Sequence, residues 1–296
     1  MKISIVIPNY NGELLLQKNL PKVLARVATH KEGEAEVIVV DDCSIDNSME
    51  AIQNLKIKMQ NHKSKIKIIR NEKNLGFSST VNRGVKEADG EIVILLNTDV
   101  VPEKDFLKPL LKHFEDPQVF AVGCMDKSIE DGKTVLRGRG IGTWQRGFFV
   151  HARGEVDRPD TLWVNGGSGA FRKSIWDKLG GLDELYNPFY YEDMDISYRA
   201  LKSGFRLVFE PKSMVVHEHE KGAIKKKYSA SQVKTIAYRN QFIFAWKNAA
   251  FFTLLSHILW LPYHFVKALL RIDFSFFLGF ITAFIRLPKV IQARIK

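Results

Sequence analysis

Short apolar runs cut off by polar residues dominate the first hundred positions. Residues 3–7, 37–40, 66–69 and Ile92–Leu96 are too short for ordinary helices and almost continuously apolar, so they read as buried strands. Between them the spacing changes. Leu16, Leu20, Val23, Leu24 and Val27 recur at helical intervals within residues 13–28, residues 48–59 read as a second helix, and Asn74-Leu75-Gly76-Phe77 opens a third that runs to Ala88. Strands alternating with helices predict βαβ units, right-handed crossovers and an α/β fold on a mostly parallel sheet with flanking helices. Later, residues 207–209 and 214–216 read as short strands, Ile196, Tyr198 and Leu201 mark a helix, and residues 119–164 show little regularity.

The strand ends carry the chemistry. Pro8-Asn9-Tyr10-Asn11-Gly12, Asp41-Asp42-Cys43-Ser44 and Asn97-Thr98-Asp99 follow three of the runs, and open α/β sheets bind ligands beyond the carboxyl ends of their strands. A carboxylate there suits a hard divalent cation that carries a nucleotide diphosphate. Asx-turns and helix caps draw on the same residue types, so both assignments stand at this point. No Gly-x-Gly-x-x-Gly or Gly-x-x-x-x-Gly-Lys-Ser/Thr follows the first strand, which argues against a dinucleotide fold or a P-loop. Gly166, Gly167 and Gly169 permit a close backbone approach to a ligand or a plain tight turn. In Tyr190-Tyr191-Glu192-Asp193-Met194-Asp195 the acids suit the first turn of a helix, and the tyrosines would supply an apolar wall that raises a carboxylate's pKa. The arginines at 137, 139 and 146 read as solvated loop residues rather than phosphate ligands. His-Glu-x-x-His is absent around His217.

Charge divides the chain. The net charge is +11, yet residues 1–220 hold 31 Lys+Arg against 32 Asp+Glu, while residues 221–296 hold 13 against Asp273 alone. The basic tail also carries an apolar run at 249–270 that contains Pro262 and a second, Phe-rich run of 12 residues at Phe274–Ile285. Twelve residues make roughly 18 Å of helix, short of the about 20 residues that span a bilayer. Basic residues flank every junction (Lys225–Lys227, Lys267 and Arg271, then Arg286, Lys289, Arg294 and Lys296), which a two-span hairpin would violate. In-plane helices on the inner face of an anionic membrane fit better; two short spans or a homodimer interface are the alternatives. Nucleic acid is not expected, because the charge accompanies long apolar runs rather than polar readout surfaces. Cys43 and Cys124 fit a reducing compartment, and a strand entered directly from Met1 leaves no room for a signal peptide.

In order and spacing, Ser4–Gly12, Val39–Asp46, Asn74–Phe77 and Leu96–Asp99 resemble the family 2 glycosyltransferases, over roughly residues 1–220. The resemblance implies a GT-A-like fold and inverting transfer from a nucleotide-sugar donor (a UDP- or dTDP-sugar). It assigns Pro8, Asn9, Asn11, Asp41, Asp42, Gly76, Asn97, Thr98, Asp99 and Gly167 to the donor, with Asp41 and Asp42 reading base and ribose. It makes Asp193 the general base and has Glu192 position the acceptor. His217, 24 residues beyond Asp193, joins Asp99 in holding Mg²⁺ or Mn²⁺. Asn-Thr-Asp lacks the first carboxylate of the family's Asp-x-Asp but matches the Asn-x-Asp of a rhamnosyltransferase-like branch. The expected arrangement is a catalytic domain over residues 1–222 and a helical membrane-associating tail over 223–296. A chain ending near Gly222 is expected to stay soluble. The expected acceptor is lipid-linked or a cell-surface polysaccharide. A sugar-nucleotide nucleotidyltransferase and a membrane scaffold with a degenerate site are the rival readings; the first lacks its basic glycine-rich loop, and Asn97 is the support for the second.

Overall fold

The computed structural model describes residues 1–28, 35–58, 65–130, 132–217 and 227–295. Met59, Glu218, His219, Lys225, Lys226, Lys296 and the boundary expected at Gly222 lie outside the described residues.

The alternation read from the sequence is present: β1 Ile3–Asn9, α1 Glu13–Val27, β2 Ala35–Asp41, α2 Ser48–Lys58, β3 Lys65–Arg70, α3 Phe77–Lys86 and β4 Ile92–Leu96. The β1 strand runs through Pro8, which pairs with Val40, and α3 stops two residues before Ala88. β5 (Val100–Pro102) follows β4, with Pro102 on the sheet's edge strand, where its missing N–H costs least. A short helix α4 (Leu107–Lys112) leads to β6 (Val119–Glu130) and β7 (Lys133–Arg137). β8 (Gly140–Gln145) and β9 (Phe148–Arg153) form a separate antiparallel hairpin. β10 (Ser168–Arg172), α5 (Lys173–Leu179), α6 (Glu192–Lys202) and β11 (Arg206–His217) complete the sheet-bearing part. Among the described residues, nine strands form one sheet in the order β3-β2-β1-β4-β10-β6-β11-β5, with β7 on β6. It is mixed: β1 through β4 are parallel, β10 runs antiparallel to both β4 and β6, and β6 and β11 are parallel.

Two expectations needed correction here. The irregular stretch contains β6, the long strand on which β7, β10 and β11 all pair. Its apolar start, Val119 to Val122, gives way to Gly123 and polar residues, which hides the strand. The two short strands near 207 and 215 are one bulged strand, β11, whose register against β6 shifts between Glu210 and Met214.

Each face of the sheet has its own core. One contains Leu16, Leu20 and Leu24 of α1 with Ile5, Val39 and Ile94; the other contains Val81 and Val85 of α3 with Val6, Val93 and Ile196. A third cluster ties in the tail. α7 (Ala230–Asn248) starts with a reciprocal cap in which Gln232 N donates to Ser229 Oγ at 3.3 Å and Ser229 N donates to Gln232 Oε1 at 2.9 Å. Its Phe242, Ile243, Phe244 and Ala245 are buried against Phe148 and Phe149 of β9 and against Tyr186, Tyr191 and Met194.

Beneath that cluster lies an ionic anchor. Asp195 of α6 is fully buried and accepts hydrogen bonds from Lys247 Nζ at 2.9 Å, Asn248 Nδ2 at 2.8 Å, Arg199 Nε at 2.8 Å and Tyr186 Oη at 3.0 Å. Lys247 also pairs with Asp183. Burial pushes the Asp195 carboxyl up, but Lys247 and Arg199 outweigh it and hold the group down at about 2.

Outside α7 lie α8 (Phe251–Leu270), α9 (Phe274–Ile285) and α10 (Leu287–Ile295). The tip of the β8–β9 hairpin is clasped by α8. Trp246 Nε1 donates to His257 Nε2 at 3.1 Å, so His257 Nδ1 carries the hydrogen shared with the Gly147 carbonyl at 3.0 Å. Burial lowers the pKa of that imidazole to about 4, which keeps it neutral. Arg146 lies over the rings of Trp260 and Tyr263. The outer surface of α8 and α9 is apolar and open, with Phe252 80 %, Leu270 79 % and Ile285 73 % exposed. No single described helix is long and apolar enough to cross a membrane; α9 and α10 together, bent by 59°, meet that length and composition. The tail is thus part of the globule, and a chain cut near Gly222 would lose α7 and uncover Tyr186, Tyr191 and Met194.

Replacing Lys247 by Met is expected to lower unfolding free energy by about 3–5 kcal/mol, because it takes one of two cations from the buried Asp195 carboxylate and the partner of Asp183. Asp195 is depressed from 3.8 to about 2, so its contribution is complete above 3.8 and is lost as pH falls towards 2. Urea melts at neutral pH check the first statement: an unchanged midpoint refutes it. An acid series checks the second, in which Asp195→Asn should lose less stability on acidification than the parent.

Candidate functional site

The carboxyl ends of β1, β2 and β4 and the start of α6 meet at one edge of the sheet. Asp41 and Asp42 end β2. Asp41 is completely buried: its Oδ1 accepts from Asn9 Nδ2 at 2.9 Å and Ser44 Oγ at 2.5 Å, and its Oδ2 from Ser44 N at 3.0 Å. Asp42, 4 % exposed, accepts from Asn71 Nδ2 at 2.7 Å, Leu75 N at 2.8 Å and Gly76 N at 2.9 Å. As placed, these carboxylates brace the loops on either side rather than presenting open oxygens to a base and ribose. The bracing joins the candidate donor residues to one another. Asn11, in the left-handed region at φ 51°, donates its N–H to Ser44 Oγ at 2.9 Å and accepts from Ile45 N at 2.9 Å. Gly76 takes φ 86°, and a Cβ there would meet the Asn187 side chain at 2.9 Å.

At the end of β4, Asn97 N donates to the Gly167 carbonyl at 3.0 Å, and a Cβ on Gly167 would lie 2.4 Å from Asn97 Nδ2. A side chain there would push the Asn97 amide aside, so Gly167 serves the close approach of two chain segments. The Thr98 carbonyl accepts from Asn19 at 2.9 Å. Asp99 is 7 % exposed, with Oδ1 3.3 Å from His217 Nε2. The other nitrogen, His217 Nδ1, lies 2.9 Å from Asp126 Oδ2, and Asp126 in turn accepts from Ser128 Oγ at 3.1 Å. Burial lowers the imidazole pKa, but the Asp126 and Asp99 carboxylates override it and raise the group to about 9. The predicted pair is therefore brought together, and Asp126, which the sequence reading missed, fixes the ring. A histidine oriented by a carboxylate on its far nitrogen is the arrangement of metal-binding imidazoles. Among the described residues no three His, Cys, Asp or Glu side chains converge as a ready-made cage. Two protein ligands do fit an ion that takes its remaining oxygens from a diphosphate and water.

The acids of α6 differ in kind. Asp193 accepts from Met194 N at 2.7 Å and from Gly166 N at 3.4 Å, which puts it beside the glycine turn that touches Asn97. Glu192 is 7 % exposed, and its Oε2 has no hydrogen-bond partner. Burial raises both carboxyls, and the Asp193 charge raises Glu192 further. Asp195 points the other way, into the anchor with Lys247. Alternation of three acids along the first turn thus separates a structural carboxylate from two poised ones. Sequence reading also missed Asn187, whose side chain accepts from Ser78 N at 3.0 Å and donates to the Leu75 carbonyl at 3.0 Å; an amide before proline in a loop gives no such signal.

Residues 4–180 match the model of glycosyl transferase family 2. Among curated proteins, dolichol-phosphate mannosyltransferase of Pyrococcus furiosus is 31% identical over 134 residues, covering 45% of this chain and 35% of that protein. O-antigen chain rhamnosyltransferase RfbN of Salmonella typhimurium is 24% identical over 224 residues, covering 74% of this chain and 67% of its own. The matches thus span from about a third to two thirds of these relatives. Among solved structures, GalNAc-T7 with UDP, GalNAc and Mn²⁺ superposes at TM-score 0.64 with 21% identity, covering 82% of this chain and 48% of that one. S. aureus TarS 1–349 in complex with UDP-GlcNAc gives TM-score 0.62 and 20% identity, covering 99% and 81%. These superpositions establish the fold: α/β of the GT-A type, with a helical C-terminal region.

The raised carboxyl pair is open to direct measurement. Infrared difference titration should show a carboxyl band that persists above the ordinary carboxylate range near pH 4. Asp193→Asn should remove one such band and move the Glu192 titration down, because the neighbouring charge is gone, whereas Glu192→Gln should leave the Asp193 titration raised by burial. Two bands that titrate together at ordinary pH would refute the placement of the pair.

Proposed function

The chain belongs to glycosyl transferase family 2, and from that premise we propose that it transfers a sugar, with inversion, from a nucleoside-diphosphate donor to an acceptor hydroxyl. The observation that carries the reading is the contact chain from Asn97 through Gly167 and Gly166 to Asp193. It gathers the diphosphate end of the site and a raised carboxylate at one sheet edge. The loops braced by Asp41 and Asp42 (Pro8 to Gly12, and Asn74 to Gly76) line the nucleotide end, and a UDP- or dTDP-sugar is the expected donor. Asp99 and His217 would hold Mg²⁺ or Mn²⁺, which supplies positive charge against that developing on the leaving diphosphate. Asp193 takes the acceptor proton as the oxygen attacks the anomeric carbon and the bond to phosphate breaks on the opposite face. Burial raises its pKa, so the group is a stronger base than an ordinary aspartate. Glu192, buried beside it, orients the acceptor.

The tail gives the acceptor its setting. The apolar outer surface of α8 and α9, with exposed Lys267, Arg271 and Lys289 around it, suits the cytoplasmic face of an anionic membrane. An enzyme held there meets a lipid-linked or surface-polysaccharide acceptor.

With a panel of nucleotide sugars, Asp193→Asn should lose about 10²–10⁴ in turnover and keep donor affinity. Asp99→Ala should lose the part of donor binding that a chelator removes from the parent. Donor affinity indifferent to chelator in the parent refutes the metal assignment, and full turnover by Asp193→Asn refutes the base. Flotation tests the tail. Each basic residue near an anionic surface contributes about 1 kcal/mol, screened by salt, so the full chain should float with anionic liposomes more than with neutral ones and lose part of that difference in high salt. A chain that stays at the bottom with both, and dimerises through this surface, would make it an interface between copies.

A further inference from the structure

We propose that Asn240, in the tail helix α7, is a positioning residue of the active site, holding the backbone that aims Tyr190, Tyr191 and the acids of α6. The inference rests on the reading of Asp193 as the base and extends the site to the tail helix.

The segment from Leu185 to Tyr190, just before α6, has little regular structure, but five of its six carbonyls are taken by the tail. The two N–H groups of Asn240 Nδ2 are shared among the carbonyls of Tyr186 at 3.0 Å, Phe189 at 2.8 Å and Tyr190 at 2.8 Å. Arg239 NH2 donates to Tyr186 at 3.3 Å and Asn187 at 2.8 Å, and Arg286 NH1 donates to Leu185 at 2.6 Å. The remaining carbonyl, of Pro188, accepts from Phe77 N at 3.4 Å. Asn240 is completely buried, and its own Oδ1 accepts from Arg239 Nε at 2.9 Å, which fixes the amide so that its N–H bonds face the loop.

What the loop delivers explains the need. Tyr190 and Tyr191 sit at φ 70° and 77°, in the left-handed region that bulky residues seldom occupy. Two such residues in succession turn the chain sharply into α6, and they persist only where their surroundings over-determine them. The donated hydrogen bonds to Phe189 and Tyr190 supply that constraint. Glu192 and Asp193 follow immediately, so the direction of both carboxyls is set by this turn. α7 stands behind the turn: Asp193 is bonded from Met194 and Gly166, and Glu192 Oε2 has no hydrogen-bond partner among the described residues. Asn240 therefore acts through the loop.

The test compares Asn240→Ala with the parent as full-length protein. The expected result is a kcat lower by about 10–100-fold, the scale of a small misplacement of reacting groups, with the donor KM within about twofold. The acid limb of the kcat profile and the infrared titration of the α6 carboxyls should both move towards the ordinary range, as the turn relaxes and water reaches them. A merely structural residue would leave both titrations in place in the folded protein. Unchanged kcat and titrations overturn the proposal, as does a loss carried equally by donor KM. Should Asn240→Ala not fold, Arg239→Gln, which loses the fork to Tyr186 and Asn187, must shift the titrations the same way; an unmoved limb overturns it too. The infrared readout needs no turnover, so it separates failure here from failure of the glycosyl-transfer reading, which a parent inactive on every nucleotide sugar would reveal.

Discussion

A carboxylate removed from water must be met by positive charge and hydrogen-bond donors, or it unfolds the structure around it. Asp195 imposes that condition on this molecule. Its partners come from α6 itself (Arg199), from the turn before it (Tyr186) and from the end of α7 (Lys247 and Asn248). Meeting the charge therefore brings together three stretches of chain that share no sheet hydrogen bonds. The aromatic packing of Phe148, Phe242 and Phe244 around Tyr191 completes the same junction, but such contacts tolerate sliding. An ion pair with fixed donors does not, and it sets the register of the tail against α6.

The second constraint is a shared edge. β4 delivers Asp99, β11 delivers His217 and β6 delivers Asp126, and the sheet order places β11 beside both β5 and β6. Parallel pairing of β6 with β11 aligns their ends, so the histidine meets one carboxylate on each ring nitrogen. The bulge in β11 matters here, because it shifts register in the strand just before His217. The bulge between Glu210 and Met214 thus adjusts where the imidazole falls without disturbing the core strands.

Much of this was legible from residues alone. The continuous apolar runs announced β1 to β4, since a strand covered on both faces leaves no polar alternation, and the polar strand ends announced the site edge. The resemblance then paired Asp99 with His217, which the structure brings into contact. Other features left no periodic trace. β6 loses its apolar pattern after Val122 because its second half pairs with the exposed β7, and Asp126 looks like a strand terminus rather than a partner for an imidazole. The tail was read from composition, and composition cannot distinguish an apolar face turned to lipid from one turned to protein; α7 uses its apolar residues for protein, whereas α8 and α9 leave many of theirs open. Ser229 and Gln232, spaced as a helix cap, were the available sign that α7 begins there. Asp41 and Asp42 show the opposite limit, since a motif marks a position and not the direction in which a carboxylate points.

The pairing of Asp195 with Lys247 spans 52 residues of sequence, and the chain is made from one end. At about 5–20 residues per second, a ribosome exposes the acid several seconds before the lysine that neutralises it exists. During that interval the carboxylate has Arg199 and Tyr186 beside it but neither Lys247 nor Asn248. The junction between α6 and α7 therefore closes only when translation has passed the tail helix.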